Sequence, residues 1–592
     1  MAGLNIENLI TDHLDLWSAA VRPKSSAGRG SNSKLELTGI KKLRELILEL
    51  AVRGKLVPQD PSDEPASVLL ERIAAEKARL VKEKKIKKEK PLPAISEDEK
   101  VFELQKGWEW CRLSELGVFF GGKTPSKMKS DYWGGDIPWV TPKDMKVDYI
   151  IESEDYVTDL AVDDGLTLVK PNSLLFVARS GILRRKFPVA ITTVACTVNQ
   201  DLKVLQPFDC GLAPYIHLMM KGFEQYILKN LTKVGTTVES LVFDEFSINP
   251  FVLPPLFEQH RIVAKVGELM TLCDQLEQRS ESQLAAHQTL VETLLATLTD
   301  STDADELAQN WARLSTHFNT LFTTEASIDA LKQTILQLAV MGKLVPQDPN
   351  DEPAAALLER IAAEKARLVK EKKIKKEKPL SVISEDEKPF ELPQGWEWER
   401  FGRVFLDLKY GTSQKSDYLI DGNPVLRIPN VAGGSISLDD LKFSKLSETE
   451  MNDLTLAEGD LLFIRSNGSL GIVGRCVVVD ICLDGFAFAG YLVRARIPKN
   501  NFCSHFISLS MDTSYVRNQI EQPIRSTSGV KNINSTEISN LIIPVPPLFE
   551  QRRIVTKVNE LMVICDQLKS RLQTSQQTQF ALAESLVEGA LA

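Results

Sequence analysis

The stretch Leu69 to Pro91 recurs without a change as Leu357 to Pro379, at an offset of 357 − 69 = 288 residues. An identity of that length inside one chain marks a duplication, and a duplicated chain is expected to fold as two related halves. The same offset carries Lys55-Leu56-Val57-Pro58-Gln59-Asp60-Pro61 onto Lys343 to Pro349, and Gly107-Trp108-Glu109-Trp110 onto Gly395 to Trp398. Pro254-Pro255-Leu256-Phe257-Glu258-Gln259 returns as Pro546-Pro547-Leu548-Phe549-Glu550-Gln551, displaced a little further, 546 − 254 = 292. Between these words lie two inserts, from Trp110 to Pro254 and from Trp398 to Pro546, alike in size and unlike in sequence. A repeated frame around two different inserts does one job twice, while the inserts do two jobs of one kind. Two recognition modules on a common mount fit that description.

The exit words lead into helices. After the first, Ile262, Val266, Leu269, Cys273 and Leu276 advance by four and three residues in turn, which is a coiled-coil seam. After the second, Ile554, Val558, Leu561, Cys565, Leu568 and Leu572 do the same. Both seams pass through small polar residues, and the same spacing expects them to recover at Leu290 and Leu294, and at Leu582 and Leu586. Helices this apolar on one side are expected to pack on one another. At the N-terminus, Asn5 to Val21 reads as an amphipathic helix, Ser25 to Ser33 as a flexible linker, and the stretch from Thr38, a capping candidate, to near Gly54 as a second helix.

A chain of 592 residues holds several domains. No run approaches the eighteen or more apolar residues of a membrane span, and Met1-Ala2-Gly3 does not open a secretory signal, so a soluble, cytoplasmic chain is expected. The eight cysteines are scattered without a Cys-x-x-Cys pair and read as reduced, buried thiols. A formal net charge of -9 argues against indiscriminate binding to nucleic acid, yet leaves room for local basic patches.

Within the inserts, Ser173 to Ala178 and Asp460 to Arg465 read as short buried strands, and helical periodicity is confined to segments such as Tyr215 to Met220 and Phe223 to Leu231. The expected class is α/β (α+β), with two mixed, strand-rich domains. Chemical signatures are weak. Gly117-Val118-Phe119-Phe120-Gly121-Gly122-Lys123-Thr124 matches the phosphate-loop pattern, but Val118-Phe119-Phe120 looks like strand and no helix follows, so a chance match is expected. Asn249-Pro250-Phe251 lacks the second proline of an amino-methyltransferase site. The histidines, His13, His217, His260, His287, His317 and His505, never pair at ligand spacing. The chain reads as non-catalytic, with no metal.

Polar and basic residues instead cluster between the strand-like runs. In the first insert these are Lys123, Thr124, Ser126, Lys143, Arg179, Ser180, Arg184, Arg185, Lys186, Lys233, Thr236 and Thr237. In the second they are Lys409, Tyr410, Thr412, Ser413, Lys415, Arg465, Ser466, Asn467, Arg525, Ser526, Thr527, Ser528, Lys531 and Asn532. Such loops supply what DNA reading needs: arginine forks for guanine, amides for adenine, hydroxyls for phosphate. The basic runs Lys82 to Lys90 and Lys370 to Lys378 are interrupted by glutamates and read as solvated helix ends.

Gly-Trp-Glu-Trp leading into each insert, Asp136-Ile137-Pro138-Trp139-Val140 within the first, and Pro-Pro-Leu-Phe-Glu-Gln-(His/Arg)-Arg-Ile-Val leaving each resemble the specificity subunits of type I restriction-modification enzymes. The second insert departs from this pattern, with Asn423-Pro424-Val425-Leu426-Arg427-Ile428 in place of Asp-Ile-Pro-Trp. Leu14-Asp15-Leu16-Trp17 and the Lys-Leu-Val-Pro-Gln-Asp-Pro repeat suggest the branch with an extended N-terminal region. The resemblance implies an N-terminal helical region (1–107, with a linker at 24–34), target-recognition domains at 108–253 and 396–545, a central helical region (254–395, its coiled-coil helix at about 257–298) and a C-terminal helix (546–592). It further implies two long antiparallel coiled-coil helices, pseudo-two-fold symmetry, and double-stranded DNA as ligand. Implied partners are two modification subunits carrying S-adenosylmethionine and restriction subunits using ATP and Mg, with no cofactor on this chain itself. Spacing of the domains and docking of those subunits would fall to Phe257, Ile262, Val266, Leu269 and Leu276, and to Phe549, Ile554, Val558, Leu561 and Leu568.

Overall fold

The computed structural model describes the chain apart from residues 1–7, 9–11, 24–34, 89–90, 236–237, 377, 523–525, 528–529 and 592. The expected linker lies outside the described residues. Contacts divide the chain into two units: residues 1–283 with 575–592, and residues 284–574.

The first unit begins with α1 (Leu14–Ala19), α2 (Thr38–Val52) and α3 (Ala66–Lys82). Thr38 does not cap α2: Leu37 holds that position and the Thr38 hydroxyl donates to the Ala20 carbonyl at 2.7 Å, tying α2 back to α1. The insert opens on β1 (Glu109–Arg112) and continues through β2 (Gly117–Gly121), β3 (Trp133–Val140), β4 (Tyr149–Ile150), β5 (Asp155–Val157), β6 (Leu174–Val177), β7 (Val189–Thr192), β8 (Thr197–Val198) and β9 (Leu202–Pro207). Then come α4 (Ala213–Gly222), α5 (Glu224–Asn230), β10 (Thr232–Lys233), β11 (Ser240–Leu241), α6 (Phe243–Ile248) and β12 (Pro250–Leu253), and the chain enters α7 (Leu256–Asp300). The second unit contains α8 (Ala304–Thr316), α9 (Glu325–Val340) and α10 (Ala354–Lys370), then β13 (Glu397–Arg400), β14 (Asp407–Tyr410), β15 (Asn423–Leu426), β16 (Lys442–Ser444), β17 (Leu461–Ile464), β18 (Ser466–Asn467), β19 (Cys476–Val478), β20 (Ala487–Phe488) and β21 (Leu492–Arg496). It closes with α11 (Ser504–Met511), α12 (Ser514–Glu521), β22 (Ser526–Thr527), β23 (Val530–Asn532), α13 (Ser535–Asn540), β24 (Ile542–Val545) and α14 (Leu548–Leu591).

The two inserts, unlike in sequence, share one topology. The main sheet runs β2-β9-β6-β7-β4 in the first and β14-β21-β17-β19 in the second. A smaller sheet runs β8-β3-β5 and β16-β15-β20, each with one parallel pairing, β8 on β3 and β20 on β15. At the middle of each main sheet lies a fully buried apolar run, Leu174 to Val177 in β6 and Leu461 to Ile464 in β17, whose register is pinned from both faces. Each insert is closed by its own ends: β1 pairs antiparallel with β12, Glu109 against Leu253, and β13 with β24, Glu397 against Val545. A buried arginine locks each closure. Arg112 reaches Glu99 and the Pro93 carbonyl, and Arg400 reaches Glu387 and the Ser381 carbonyl.

The frame words meet at the base of each insert. Trp108 Nε1 donates to Glu258 at 3.1 Å and Gln59 Nε2 donates to the same carboxylate at 2.6 Å, while Arg261 pairs with Asp63 at 2.5 Å. In the second unit Trp396 and Gln347 converge on Glu550, and Arg553 on Asp351. Three words far apart in sequence are thus one hydrogen-bonded joint, built twice.

Each unit packs one short helix against parts of both long ones. In the first, Arg44 of α2 pairs with Asp274 and Glu277 of α7, at 2.6 and 2.7 Å. Lys42 faces Glu584, and Lys55 donates to the Leu591 carbonyl at 2.8 Å. From Lys42 to Lys55 the α14 partners ascend from Glu584 to Leu591, while from Arg44 to Gln59 the α7 partners descend from Asp274 to Glu258, so the two long helices run antiparallel there. In the second unit Lys343 donates to the Thr299 carbonyl and Lys332 pairs with Asp566, the same contacts at offsets of 288 and 292. Glu277 is replaced by Lys569, and the reversed charge is met by Asp329 at 3.1 Å and Glu325 at 3.4 Å.

Ile262, Val266, Leu269, Cys273, Ile554, Val558 and Cys565 are buried as the seam requires, with Leu276, Leu561, Leu568 and Leu572 partly so. The recovery differs from expectation. Leu290 and Leu582 are about half exposed, and the buried positions are Val291, Leu295 and Leu298 in α7 and Ala583 and Ala590 in α14. Between Leu276 and Val291 the inward residues are Ser280, Leu284 and His287, so two steps of four fall together. A nearly straight helix keeps 3.6 residues per turn, and over several turns a strict 3.5 repeat drifts off its face.

Candidate nucleic-acid interface

The phosphate-loop pattern resolves into a different device. Gly117 to Gly121 form β2 of the main sheet, and Ser130 to Tyr132 form a single tight turn where a phosphate loop would need a helix. Gly122 presses this strand's end onto the smaller sheet, where a Cβ would lie 2.0 Å from the Val198 carbonyl oxygen. Lys123 N then donates to that carbonyl at 3.0 Å, and Trp139 Nε1 donates to the Lys123 carbonyl at 3.2 Å. Gly411 does the same in the second insert, its Cβ position 2.3 Å from the Phe488 and Ala489 oxygens, and Thr412 N donates to Phe488 at 2.8 Å.

This joint gathers polar loops. In the first insert Thr124 bonds Gln200, and Arg179 N donates to the Asp201 carbonyl at 3.2 Å. Arg179 bridges Ser240, which pairs with Lys233 across β10 and β11, and Ser180 N donates to Glu239 O at 3.1 Å. Lys123, Thr124, Arg179, Ser180 and Lys233 therefore share one region with Gln200. Arg184 is joined through Glu239 at 2.6 Å, and its guanidinium holds that carboxyl below the usual range. Arg185 and Lys186 are exposed on the same loop. Ser126 accepts from Trp133 Nε1 and Lys129 N at its carbonyl and from Met128 N at its hydroxyl, and Lys143 sits apart, paired with Glu154 at 3.6 Å. Thr236 and Thr237 lie outside the described residues.

In the second insert the gathering is tighter. The Arg465 guanidinium lies 4.9 Å from the Tyr410 ring centre, and Ser535 N donates to the Tyr410 hydroxyl at 2.9 Å. Arg465 N donates to the Tyr491 carbonyl at 2.9 Å, while Ser466 pairs with Asn532 and Asn467 with Lys531. Tyr410, Thr412, Arg465, Ser466, Asn467, Lys531 and Asn532 thus form one patch, with Ser413 exposed beside Thr412. Thr412 itself is buried. Lys409 is drawn to Asp453 and Lys415 to Asp417. Ser526 and Thr527 are in β22, and Arg525 and Ser528 lie outside the described residues.

Sequence reading missed Gln200 and Tyr491, both exposed on the loop between β8 and β9 or between β20 and β21. The signal was polar in one case, the break Asn199-Gln200-Asp201 between two apolar runs, and in the other no more than the glycine of Ala489-Gly490-Tyr491. The reading of all cysteines as buried also fails: Cys210 and Cys482 are exposed and Cys503 is half-buried. Among the described residues no group of histidine, cysteine and acid side chains is placed to hold a metal ion, and no helix is long and apolar enough to cross a membrane.

Residues 105–286 and 393–575 each match the type I restriction modification DNA specificity domain. The chain is 44% identical over 602 residues to the type I restriction enzyme EcoEI specificity subunit of Escherichia coli, covering 99% of this chain and 100% of that one. It is 43% identical over 608 residues to the EcoAI specificity subunit of the same organism, with 99% and 100% covered. A shorter likeness, 38% over 170 residues, links it to the EcoR124I/EcoR124II specificity subunit, covering 28% of this chain and 42% of that one. Fold, joint and matches together define a protein of two DNA specificity domains. The chain belongs to the family of type I restriction-modification specificity subunits.

Proposed function

We propose that each insert reads one half of an asymmetric, interrupted site on double-stranded DNA, with 108–253 and 396–545 as the two target-recognition domains. The observation that carries this is the contrast between them: one topology, one glycine joint, and two different sets of side chains gathered at it. On this reading the chain is the non-catalytic address of a cytoplasmic complex. Two modification subunits would bring S-adenosylmethionine and methylate adenine at N6, and restriction subunits would bring ATP and Mg for translocation and cleavage. A flipped adenine would enter a pocket of the modification subunit.

The roles expected of the long helices divide. Ile262, Val266, Leu269, Ile554 and Val558 are consumed inside the protein, with Leu276, Leu561 and Leu568 on the same faces, which suits a spacer. Phe257 and Phe549 are 64% and 60% exposed at matching positions, 549 − 257 = 292, and suit docking of two copies of one partner.

The test is adenine methylation mapped across a genome in cells expressing a modification subunit of this family, with and without the chain. The expected result is one two-part motif with a fixed gap that appears only with the chain, and an exchange of one insert that changes one half of the motif. No motif while the two proteins copurify would overturn the reading.

A further inference from the structure

At the end where the polar loops gather, the main sheets of the two inserts match strand for strand. In the first, Val177 pairs with Leu202 and Gly121 with Lys203, and Ala178 N donates to the Asp201 carbonyl at 2.8 Å. In the second, Ile464 pairs with Leu492 and Tyr410 with Val493, and Arg465 N donates to the Tyr491 carbonyl at 2.9 Å. Tyr410, Arg465 and Tyr491 therefore stand where the first insert has Gly121, Ala178 and Asp201. One backbone carries an aromatic and cationic set in one insert and a small and acidic set in the other.

The second set holds a guanidinium in a fixed pose without neutralising it. Tyr410 is anchored through its hydroxyl, which accepts from Ser535 N, and its ring lies 4.9 Å from the Arg465 guanidinium. Arg465 Nη1 reaches the Gly490 carbonyl at 3.4 Å, and Nε is enclosed with no acceptor among the described residues. Other arginines of this insert, Arg427, Arg494, Arg496 and Arg517, each meet a carboxylate. Arg465 meets none among the described residues, and Tyr410 and Tyr491 beside it are exposed. A planar fork whose orientation is already set gains most from a pair of acceptors at fixed spacing. Guanine presents such a pair, O6 and N7, on its major-groove edge, where adenine pairs an acceptor with a donor. We propose that Arg465 reads a guanine in the half-site of the second insert, with Nη1 and Nη2 as donors and Tyr410 as the positioning residue. The first insert has no counterpart at Ala178. This inference rests on the reading of 396–545 as a target-recognition domain.

The experiment maps the methylation motif in cells expressing a modification subunit of this family with the wild-type chain, Arg465→Ala, Arg465→Lys, Tyr410→Phe or Tyr410→Leu. The expected result is that one G·C position, in the half-site that exchange of the second insert changes, relaxes in both Arg465 variants. Discrimination there should fall roughly 5- to 150-fold, while the other positions and the other half-site hold. Tyr410→Phe keeps the ring and should keep the guanine, and Tyr410→Leu should relax the same position in part. A second measurement alters no side chain: the purified complex of the chain with that subunit is bound to a duplex of the mapped motif carrying 7-deazaguanine at that position. The lost N7 should weaken binding by the wild-type chain and leave binding by Arg465→Ala unchanged. Equal weakening at every position in the Arg465 variants would make this side chain a phosphate contact, and a half-site that keeps its full specificity in them would make it structural; either result overturns the proposal. A wild-type chain that gives no motif, or a motif that exchange of the second insert leaves in place, would overturn the reading of the inserts and this inference with it.

Discussion

Glu258 shows how a single side chain can carry a whole joint. It is buried, and burial pushes its carboxyl up while Trp108, Gln59 and Arg261 pull it down. Glu258→Ala leaves the buried Trp108 indole N–H without its acceptor and releases the exposed Gln59 amide to solvent, at a cost of roughly 1–3 kcal/mol. Denaturant unfolding should show that loss, and Glu550→Ala should show the same. The double variant should be additive, since the two joints share no partner. A pH effect belongs to His217. Its Nε2 lies 3.2 Å from the Val189 carbonyl, and burial first, then Lys221, lowers the imidazole to about 4 from an ordinary 6.5. The fold holds this ring neutral while the unfolded chain charges it, so its contribution is complete above about pH 6.5 and is lost as pH falls toward 4. The loss is roughly 3 kcal/mol by linkage, and the wild-type minus His217→Gln difference in unfolding free energy should follow it across that window. Neither residue announced its role in sequence. Glu258 was legible as part of a repeated word, but its partners lie 150 and 199 positions away, and His217 looked like any buried histidine.

At the scale of the element, the joint of β2 with the smaller sheet explains why a phosphate-loop pattern arises without phosphate chemistry. Glycine at 122 and at 411 is needed for close approach of backbone to backbone, and the following residue is needed only for its N–H, so Lys123 and Thr412 serve equally. Gly122→Ala and Gly411→Ala should each push the two sheets apart in one insert, costing about 1–3 kcal/mol by overpacking. Hydrogen exchange should quicken at Lys123 N or Thr412 N, and the adenine-methylation motif should degrade in one half only. The strands themselves were legible because fully apolar runs such as Leu174 to Val177 have no other place to go. The gathering of Arg465 onto Tyr410 was not, because it depends on β14, β17 and β23 meeting at one end of a sheet. Both residues were named as candidates, but one at a time. The helical seam was legible where it is short and drifted where it is long: at Leu290 and Leu582 a strict heptad falls one residue short of the buried positions Val291 and Ala583.

For the molecule as a whole, duplication is the strongest constraint, and it was plain in sequence from the first repeated word. What it could not show is that each unit is completed by the far end of the other half's long helix, residues 575–592 in one and 284–300 in the other. If α7 and α14 are the spacer, a deletion must shorten both to keep their antiparallel contacts, and it must remove whole heptads to keep the inward face inward. Removing residues 278–284 and 570–576 together meets both conditions at the shared offset of 292. It spares Asp274 and Glu277, which hold Arg44, and Asp566 and Lys569, which hold Lys332 and Asp329. Seven residues at 1.5 Å each shorten a helix by about 10 Å, close to three base pairs at roughly 3.4 Å per step. The methylation motif of the doubly deleted chain should therefore keep both half-sites and lose about three base pairs from its gap. A deletion of seven residues from α7 alone should instead abolish methylation, because Lys343 and Lys55 would no longer find the Thr299 and Leu591 carbonyls in register. An unchanged gap in an active double deletion would show that the inserts are positioned by something other than these helices.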